Sequence, residues 1–290
     1  MITRFRTGLM GWIFVGVAAV MIFLFYFYPM FQAFLLSFQS GSGINLSFVG
    51  LSNYKRVFTD QTFIAAITNT FIFLIVQVPI MIILGLFLSV LLNDHTLKFR
   101  GFFRIAIFLP CVTSLVAYSV IFKDLFAIDG IVNKLLIQFS LIPEGIHWLS
   151  DPFWAKVTII IAITWRWTGY NMIFYLSALQ NVDRGIYEAA RIDGASAFQQ
   201  FFKITIPMLK PIILFTSITS TIGTLQLFDE VMNITKGGPG NATTTVSQYI
   251  YNLSFKYTPD FGYAATVSYF VVFIIVILAL IQFKLAGDKK

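Results

Sequence analysis

The sequence predicts an all-α membrane protein that crosses the bilayer several times. Of its 290 residues, 58% are hydrophobic and only 11% are charged, and the mean hydropathy is +0.81. A soluble domain is about 25% charged. The charges are also separated by long uncharged runs, and a helix needs about 20 apolar residues to span a bilayer. Most of the chain is therefore expected to lie in lipid.

The uncharged runs predict six transmembrane helices. Stretches such as PIMIILGLFLSVLLN are apolar on every face, whereas the strands of a membrane barrel would alternate apolar and polar residues. A cytoplasmic N-terminus puts most lysine and arginine residues on the inner side, so we expect both termini in the cytoplasm. The predicted spans lie near 9–36, 65–92, 104–122, 157–180, 207–230 and 262–284.

The net charge of +7 and the scarcity of reactive residues exclude several function classes. The basic residues form no stripe interleaved with aromatic residues, so no nucleic-acid partner is expected. The chain has one cysteine, no Gly-Lys pair for a P-loop, and two histidines, His95 and His147, in loops predicted on opposite sides. We predict no catalytic residue, no metal site and no cofactor bound by this chain, which is therefore not expected to be an enzyme.

A polar cytoplasmic loop is predicted at 181–206, between the fourth and fifth spans. Asp183 is a candidate N-cap for a first short helix that ends at Gly194. Ser196 and Gln199 have the spacing of a capping box that begins a second short helix. Such short helices are marginal in water. They therefore need something to pack against, although an ordinary cytosolic loop remains an alternative.

Two further pairs of residues, in this loop and just after it, predict where a partner protein could contact it and where the fifth span begins. Ala189 and Ala190 are small, so a partner surface could approach the helix backbone closely. Pro207 and Pro211 mark the beginning of the fifth span.

Several stretches resemble one family of transporters. The spacing of the loop residues is similar to the EAA motif of ABC importer permeases, E-A-A-x3-G-x9-I-x-L-P, with isoleucine in place of the leucine. The matching residues are Glu188, Ala189, Ala190, Gly194, Ile204, Ile206 and Pro207. The stretches GLSNYKRVF, TWRWTGYNM and TKGGPGNATTT resemble the binding-protein-dependent sugar importers of the maltose and glycerol-phosphate type, in particular the first permease of each pair. This likeness covers essentially the whole chain.

The resemblance implies a type I ABC importer permease fold in a bacterial cytoplasmic membrane. It implies a single transmembrane domain over 1–290, with a core of about 65–284 and a coupling-helix loop at 181–206. ATP and Mg would be used by a partner ATPase that holds this loop. The residues implied for ATPase coupling are Glu188, Ala189, Ala190, Arg191, Asp193, Gly194 and Pro207. The implied partners are a second permease subunit, a dimer of ATP-binding subunits, an extracellular solute-binding protein and membrane lipid.

Two spans carry polar residues that predict a substrate path. In the fourth span, Thr164, Trp167, Thr168, Asn171 and Tyr175 lie on one helical face, and aromatic rings beside amide and hydroxyl groups suit a sugar. In the fifth, Thr219, Gly223, Gln226 and Glu230 have helical spacing. Helix packing is the alternative explanation for these polar residues. The predicted path residues are Trp167, Asn171, Tyr175, Thr219 and Gln226.

Charged residues near the path have other predicted roles. Helical phase turns Arg166 away from the polar face, so we expect it to snorkel towards the membrane surface or to pair with another chain. Asp229 and Glu230 are expected at the outer gate or at a docked binding protein.

The predicted function is that of a permease subunit of an ATP-driven carbohydrate importer. It would form half of the translocation path and couple to a cytosolic ATPase through the EAA loop. The alternative is a secondary carrier for a small polar solute. Such carriers typically show intramembrane acidic residues or a paired repeat. The sequence has no acidic residue in the middle of a predicted span and no convincing internal repeat.

Overall fold

The computed structural model describes residues 14–42 and 45–286. The two chain ends, which are predicted to be cytoplasmic, and the first residues of the first predicted span lie outside this part of the chain. Within it, helices dominate, and the strands β1 (Gln39–Ser42) and β2 (Asn45–Phe48) form an antiparallel hairpin in which Gln39 faces Phe48.

In chain order, the helices of the described residues are α1 (Phe14–Ser37), α2 (Ser52–Val57), α3 (Gln61–Asn93), α4 (Arg100–Val112), α5 (Leu115–Leu125), α6 (Ile131–Gln138), α7 (Pro152–Leu179), α8 (Arg184–Ile192), α9 (Ala197–Leu225), α10 (Asp229–Ile234), α11 (Val246–Tyr251, followed by a π-helical turn Asn252–Lys256) and α12 (Phe261–Ala286).

Four of these helices are long and apolar enough to cross a membrane, namely α1, α3, α9 and α12. The bent pair α4 and α5 raises the number to five if the pair forms one span. These elements coincide with five of the six predicted spans. The remaining one, α7, has 28 residues but carries Lys156 and Arg166, and it is not among the helices that meet this criterion.

The third predicted span, near 104–122, is not one continuous helix. The chain instead bends by 100° between α4 and α5. Thr113 and Ser114 are both extended at the bend, and Thr113 Oγ1 donates to the carbonyl of Pro110 at 2.7 Å. Pro110 lacks an N–H group and so weakens the last turn of α4. The two halves are therefore separate helices joined by a sharp break.

The fifth span also differs from its predicted bounds. The capping box at Ser196 begins α9, which runs without interruption to Leu225, so the prediction of a separate second short helix is wrong. A π-helical turn at Phe201–Thr205 precedes Pro207. Proline has no N–H to donate, and the wider turn lets the helix continue without that hydrogen bond. The helix ends five residues before the predicted 230, and Asp229 begins the short helix α10.

The chain divides into two compact units. The first comprises Met1–Asp60 and Ile250–Phe270. Its described part holds α1, the β-hairpin, α2 and the first turns of α12. The buried Asn53 side chain donates to the carbonyls of Ser37 and Gln39 at 3.0 and 2.8 Å, which joins α2 to the end of α1. Thr266 Oγ1 donates to the same Ser37 carbonyl at 2.9 Å.

The second unit comprises Gln61–Tyr249 and Val271–Lys290. Helix α7 is its central element and packs along α3, α4 and α9. At Gly169, the backbones of α7 and α4 approach so closely that an added Cβ atom would lie 2.1 Å from the Ile107 carbonyl oxygen. A buried aromatic and aliphatic cluster lies among α3, α5, α7 and α10 and includes Phe73, Tyr118, Phe122, Ile159 and Val231.

Candidate functional site

A cavity of about 360 Å³ lies within the second unit, between α3, α7, α9 and α10. Four of the five predicted path residues line it, because the polar faces of α7 and α9 turn towards each other. They are Trp167, Asn171, Thr219 and Gln226. Gly223 and Glu230, which share the predicted face of the fifth span, line the cavity as well.

The cavity wall offers both hydrogen-bonding groups and flat apolar rings. Asn171 Nδ2 donates to Ser220 Oγ at 3.4 Å, while the buried Asn171 Oδ1 has no hydrogen-bond partner among the described residues. The rings of Trp167 and Tyr170 meet edge to face, with centroids 5.9 Å apart. Such a wall can stack against apolar faces of a solute and exchange hydrogen bonds with its hydroxyl groups.

Tyr175 lies outside this cavity. Its ring is fully buried among Leu86, Leu179 and Leu209, and its hydroxyl forms a 2.6 Å hydrogen bond with Thr216 Oγ1. These contacts join α7 to α9 in the packed interior. The structure therefore gives Tyr175 a packing environment, although its sequence spacing matches that of Trp167 and Asn171.

Among the cavity residues that sequence reasoning missed are four that carry hydrogen-bonding groups. Gln77 accepts a hydrogen bond from Thr224 Oγ1 at 3.0 Å, which links α3 to α9. A glutamine within an otherwise apolar run is itself a signal, because polar side chains at membrane depth usually face the interior. The other three are Tyr170, Ser220 and Thr224.

The prediction that Arg166 snorkels or pairs with another chain is wrong. Arg166 is buried and neither snorkels nor needs another chain, because Nη1 donates to the Thr113 carbonyl at 3.1 Å and Nε lies 4.0 Å from Glu230 Oε1. Its guanidinium also lies over the ring of Tyr118, 4.9 Å from the centroid. Glu230 is buried within the chain, so a docked protein does not reach it in this arrangement. Helical phase is a poor guide to Arg166 because a long arginine side chain reaches around its own helix.

The loop at 181–206 begins with the predicted helix. Asp183 caps α8 by accepting from the Gly185 N–H at 2.9 Å. The helix ends at Ile192, and Gly194 follows with φ +80°. The Gly194 and Ala195 N–H groups donate to the carbonyls of Arg191 and Ala190, which is the Schellman arrangement of a helix end. These predictions are confirmed.

The start of α9 is confirmed as well. The backbone N–H of Ser196 donates to Gln199 Oε1 at 2.8 Å, and the N–H of Gln199 donates to Ser196 Oγ at 3.3 Å. This reciprocal pair forms the predicted capping box. The hydroxyls of Tyr187 and Thr205, 3.0 Å apart, hold α8 against α9.

The exposed surface of this loop is partly apolar. No residue of α8 is buried, and the side chains of Ile192 and Phe198 are 88% and 72% exposed. Exposed apolar groups of this size are typical of surfaces that contact another protein. Among the residues implied for coupling, Pro207 differs because it belongs to α9. The others lie on α8 or on the turn that follows it: Glu188, Ala189, Ala190, Arg191, Asp193 and Gly194.

Comparison with known proteins decides the family. Residues 63–285 match the family described as the binding-protein-dependent transport system inner membrane component. The chain belongs to this family. It is therefore a transport subunit, a permease of the ABC importer class, as the EAA motif predicts. Within the described residues, no group of histidine, cysteine, aspartate and glutamate side chains could hold a metal ion.

Curated relatives of the permease include sugar transport subunits. It is 57% identical to the lactose transport system permease protein LacF of Rhizobium radiobacter, over 97% of this chain and 95% of that protein. It is 35% identical to the arabinooligosaccharides transport system permease protein AraP of Halalkalibacterium halodurans, over 91% of this chain and 83% of that protein.

A solved structure shares the fold. The permease superposes with a TM-score of 0.83 and 21% identity on a chain of a bacterial alginate ABC transporter crystallised in complex with an alginate pentasaccharide-bound periplasmic protein. The superposition covers 98% of this chain and 96% of that chain. The permease therefore has the fold of an ABC importer permease.

Proposed function

We propose that the permease carries a di- or oligosaccharide through the cavity between α3, α7, α9 and α10, as part of an ATP-driven importer. The cavity supports the substrate class, because Trp167 and Tyr170 offer ring faces and Asn171, Thr219 and Gln226 offer hydrogen-bonding groups. The names of the relatives support the same class, and lactose is the first candidate because LacF is 57% identical.

The proposed topology has six spans, with both termini in the cytoplasm of a bacterial cell and the protein in its cytoplasmic membrane. Helix α7 is the fourth span in this arrangement. Its two charges are compatible with the interior of a helical bundle, since Arg166 is buried against Glu230 instead of facing lipid. The loop between α7 and α9 then lies in the cytoplasm.

The energy source is proposed to be a partner ATPase that binds ATP and Mg and docks on α8. The small Ala189, the exposed Glu188 and the apolar Ile192 form an accessible surface at the tip of the loop. Gly194 turns the chain back into α9, which runs without a break to the cavity at Thr219 and Gln226. A displacement of the docked α8 is thereby carried to the substrate path.

The assembly is proposed to include a second permease, two ATP-binding subunits and an extracellular solute-binding protein. The alginate transporter, crystallised with its periplasmic protein, is a precedent for the last partner. The second permease would supply the other half of the substrate path.

Uptake by the reconstituted importer tests this function. The permease is assembled with its partner subunits in liposomes, and entry of radiolabelled lactose is measured with and without ATP and Mg on the ATPase side. We expect uptake that requires ATP, Mg and the binding protein, and competition by unlabelled disaccharides. Uptake that needs no ATP and follows an ion gradient would establish the secondary carrier instead.

A charge reversal separates coupling from substrate binding. Glu188→Lys is expected to abolish uptake and to reduce co-purification of the ATPase, because Glu188 lies exposed on the proposed docking face. The matched control is Glu144→Lys, which reverses an exposed carboxylate in the loop after α6. Equal uptake by the two variants would contradict the coupling role of Glu188.

A further inference from the structure

A second cavity lies beside the cytoplasmic loop, where α3 ends, α4 begins and α8 begins. Its volume is about 230 Å³, and His95, Arg100, Arg104, Arg184 and Tyr187 are among its lining residues. A water molecule takes up about 30 Å³ in the liquid, so the space accommodates a phosphate-sized group together with several waters.

Positive charge dominates this cavity. Three arginine side chains line it, and no aspartate or glutamate does so within the described residues. None of the three is in an ion pair with a residue that the structure describes. Asp94 and Glu188 line the adjoining space, and Asp94 Oδ1 already accepts two 2.8 Å hydrogen bonds from Thr96.

Hydrogen-bond donors also exceed acceptors here. Arg100 and Arg184 contact opposite ring nitrogens of His95, but a neutral imidazole has only one acceptor nitrogen. Arg104 donates from Nη2 to the Leu92 carbonyl at 2.7 Å, while its buried Nε has no hydrogen-bond partner among the described residues. At least two guanidinium N–H groups are therefore left without an acceptor.

We propose that this cavity binds a phosphate group, supplied either by the headgroup of an acidic lipid or by free phosphate in the cytosol. Planar guanidinium forks match phosphate oxygens in geometry and in charge. The site lies at the ends of apolar helices, where basic pockets meet lipid headgroups on the cytoplasmic side. This inference does not depend on which solute the permease transports.

The bound group would add a connection between two segments that already meet at His95. Arg100 and Arg104 lie on the first turns of α4, whereas Arg184 is the first residue of α8. One anion that accepts from both segments would fix α8 against the loop at 94–99. Occupancy of this site would therefore regulate how firmly the docking helix is held.

The test uses the full chain purified with its partner subunits, and it has a lipid arm and a soluble arm. In the first, the complex is taken from nanodiscs that contain phosphatidylglycerol and phosphatidylcholine, and retained lipid is counted by native mass spectrometry. In the second, binding of radiolabelled inorganic phosphate is measured by equilibrium dialysis. The variants are Arg184→Gln and Arg104→Gln, and the matched control is Lys98→Gln, which removes an exposed cation of the same loop.

We expect Arg184→Gln to weaken anion binding about tenfold, since a charge-assisted hydrogen bond is lost, and we expect Lys98→Gln to bind as the wild type does. Loss of retained phosphatidylglycerol alone identifies the lipid as the source, and loss of phosphate binding alone identifies the soluble anion. Because Arg104 also supports the Leu92 carbonyl, Arg184→Gln decides the outcome if Arg104→Gln misfolds. Equal binding by Arg184→Gln and Lys98→Gln in both arms would overturn the proposal.

Discussion

Arg166 of α7 and Glu230 of α10 form a buried ion pair beside the cavity between α3, α7, α9 and α10. Nε and Oε1 are 4.0 Å apart, and each side chain is 6% exposed. Glu230 Oε1 also accepts a 3.4 Å hydrogen bond from Trp167 Nε1, and Arg166 holds the Thr113 carbonyl at the break between α4 and α5. One pair therefore connects the bent helix, the central helix and the cavity wall.

Arg166→Met is expected to lower the free energy of unfolding by about 3 kcal/mol, because it leaves the Glu230 charge buried without a partner. The double variant Arg166→Met with Glu230→Gln should recover part of this loss, since no uncompensated charge remains. Unfolding of the purified permease in detergent measures both effects, and Lys156→Met is the control on the same helix. Strictly additive effects in the double variant would mean that the two side chains are not coupled.

Asn171→Ala and Gln226→Ala are each expected to raise the KM for sugar uptake about tenfold, because each removes a hydrogen-bonding group from the cavity wall. ATPase association should stay intact, since both residues are remote in sequence from α8. Transport kinetics in liposomes and co-purification check the two expectations. Asn181→Ala, an exposed amide just beyond the end of α7, is the control. An unchanged KM in both cavity variants would remove these residues from the path.

Gly194→Pro is expected to abolish uptake and to release the ATPase. Proline cannot adopt the φ of +80° found at Gly194, and it lacks the N–H that donates to the Arg191 carbonyl. Gly194→Ala should have a weaker effect, with a strain of about 1 kcal/mol. Gly185→Ala is the control, because Gly185 lies within α8, the helix that precedes Gly194, and has only ordinary contacts around it. Normal uptake by well-expressed Gly194→Pro protein would refute the coupling role.

His95 is expected to titrate below its ordinary pKa near 6.5, because partial loss of hydration and the adjoining charges of Arg184 and Arg100 disfavour its protonated form. Arg104 acts in the same direction, while Asp94 opposes it. Arg184→Gln removes one positive charge and should therefore raise the pKa of His95. The chain has two histidines, so NMR of histidine-labelled protein gives two signals to follow with pH. A pKa that is unaffected by Arg184→Gln would contradict this picture of the cavity.

The features predicted correctly from the sequence are those that short segments determine. The Asp183 cap, the Gly194 helix end and the Ser196–Gln199 capping box each depend on residues within a few positions of one another. The convergence of Trp167, Asn171, Thr219 and Gln226 was also predictable, since polar faces of membrane helices turn inward.

The features missed depend on contacts between distant segments. The bend at Thr113 is stabilised by Arg166, which lies 53 residues further along the chain. The role of Gln77 depends on its contact with Thr224, which is 147 residues away. The continuity of α9 through Pro207 depends on a π-helical turn, which has no simple sequence pattern.

The close approach of Gly169 to the Ile107 carbonyl has a mechanical consequence. Because no side chain separates the backbones of α4 and α7 at this point, one helix cannot slide past the other without a steric clash. We therefore expect α4 and α7 to move together in any conformational change of the permease. Thr113 and Ser114, which separate α4 from α5, are then where we expect α5 to change its angle to this pair of helices.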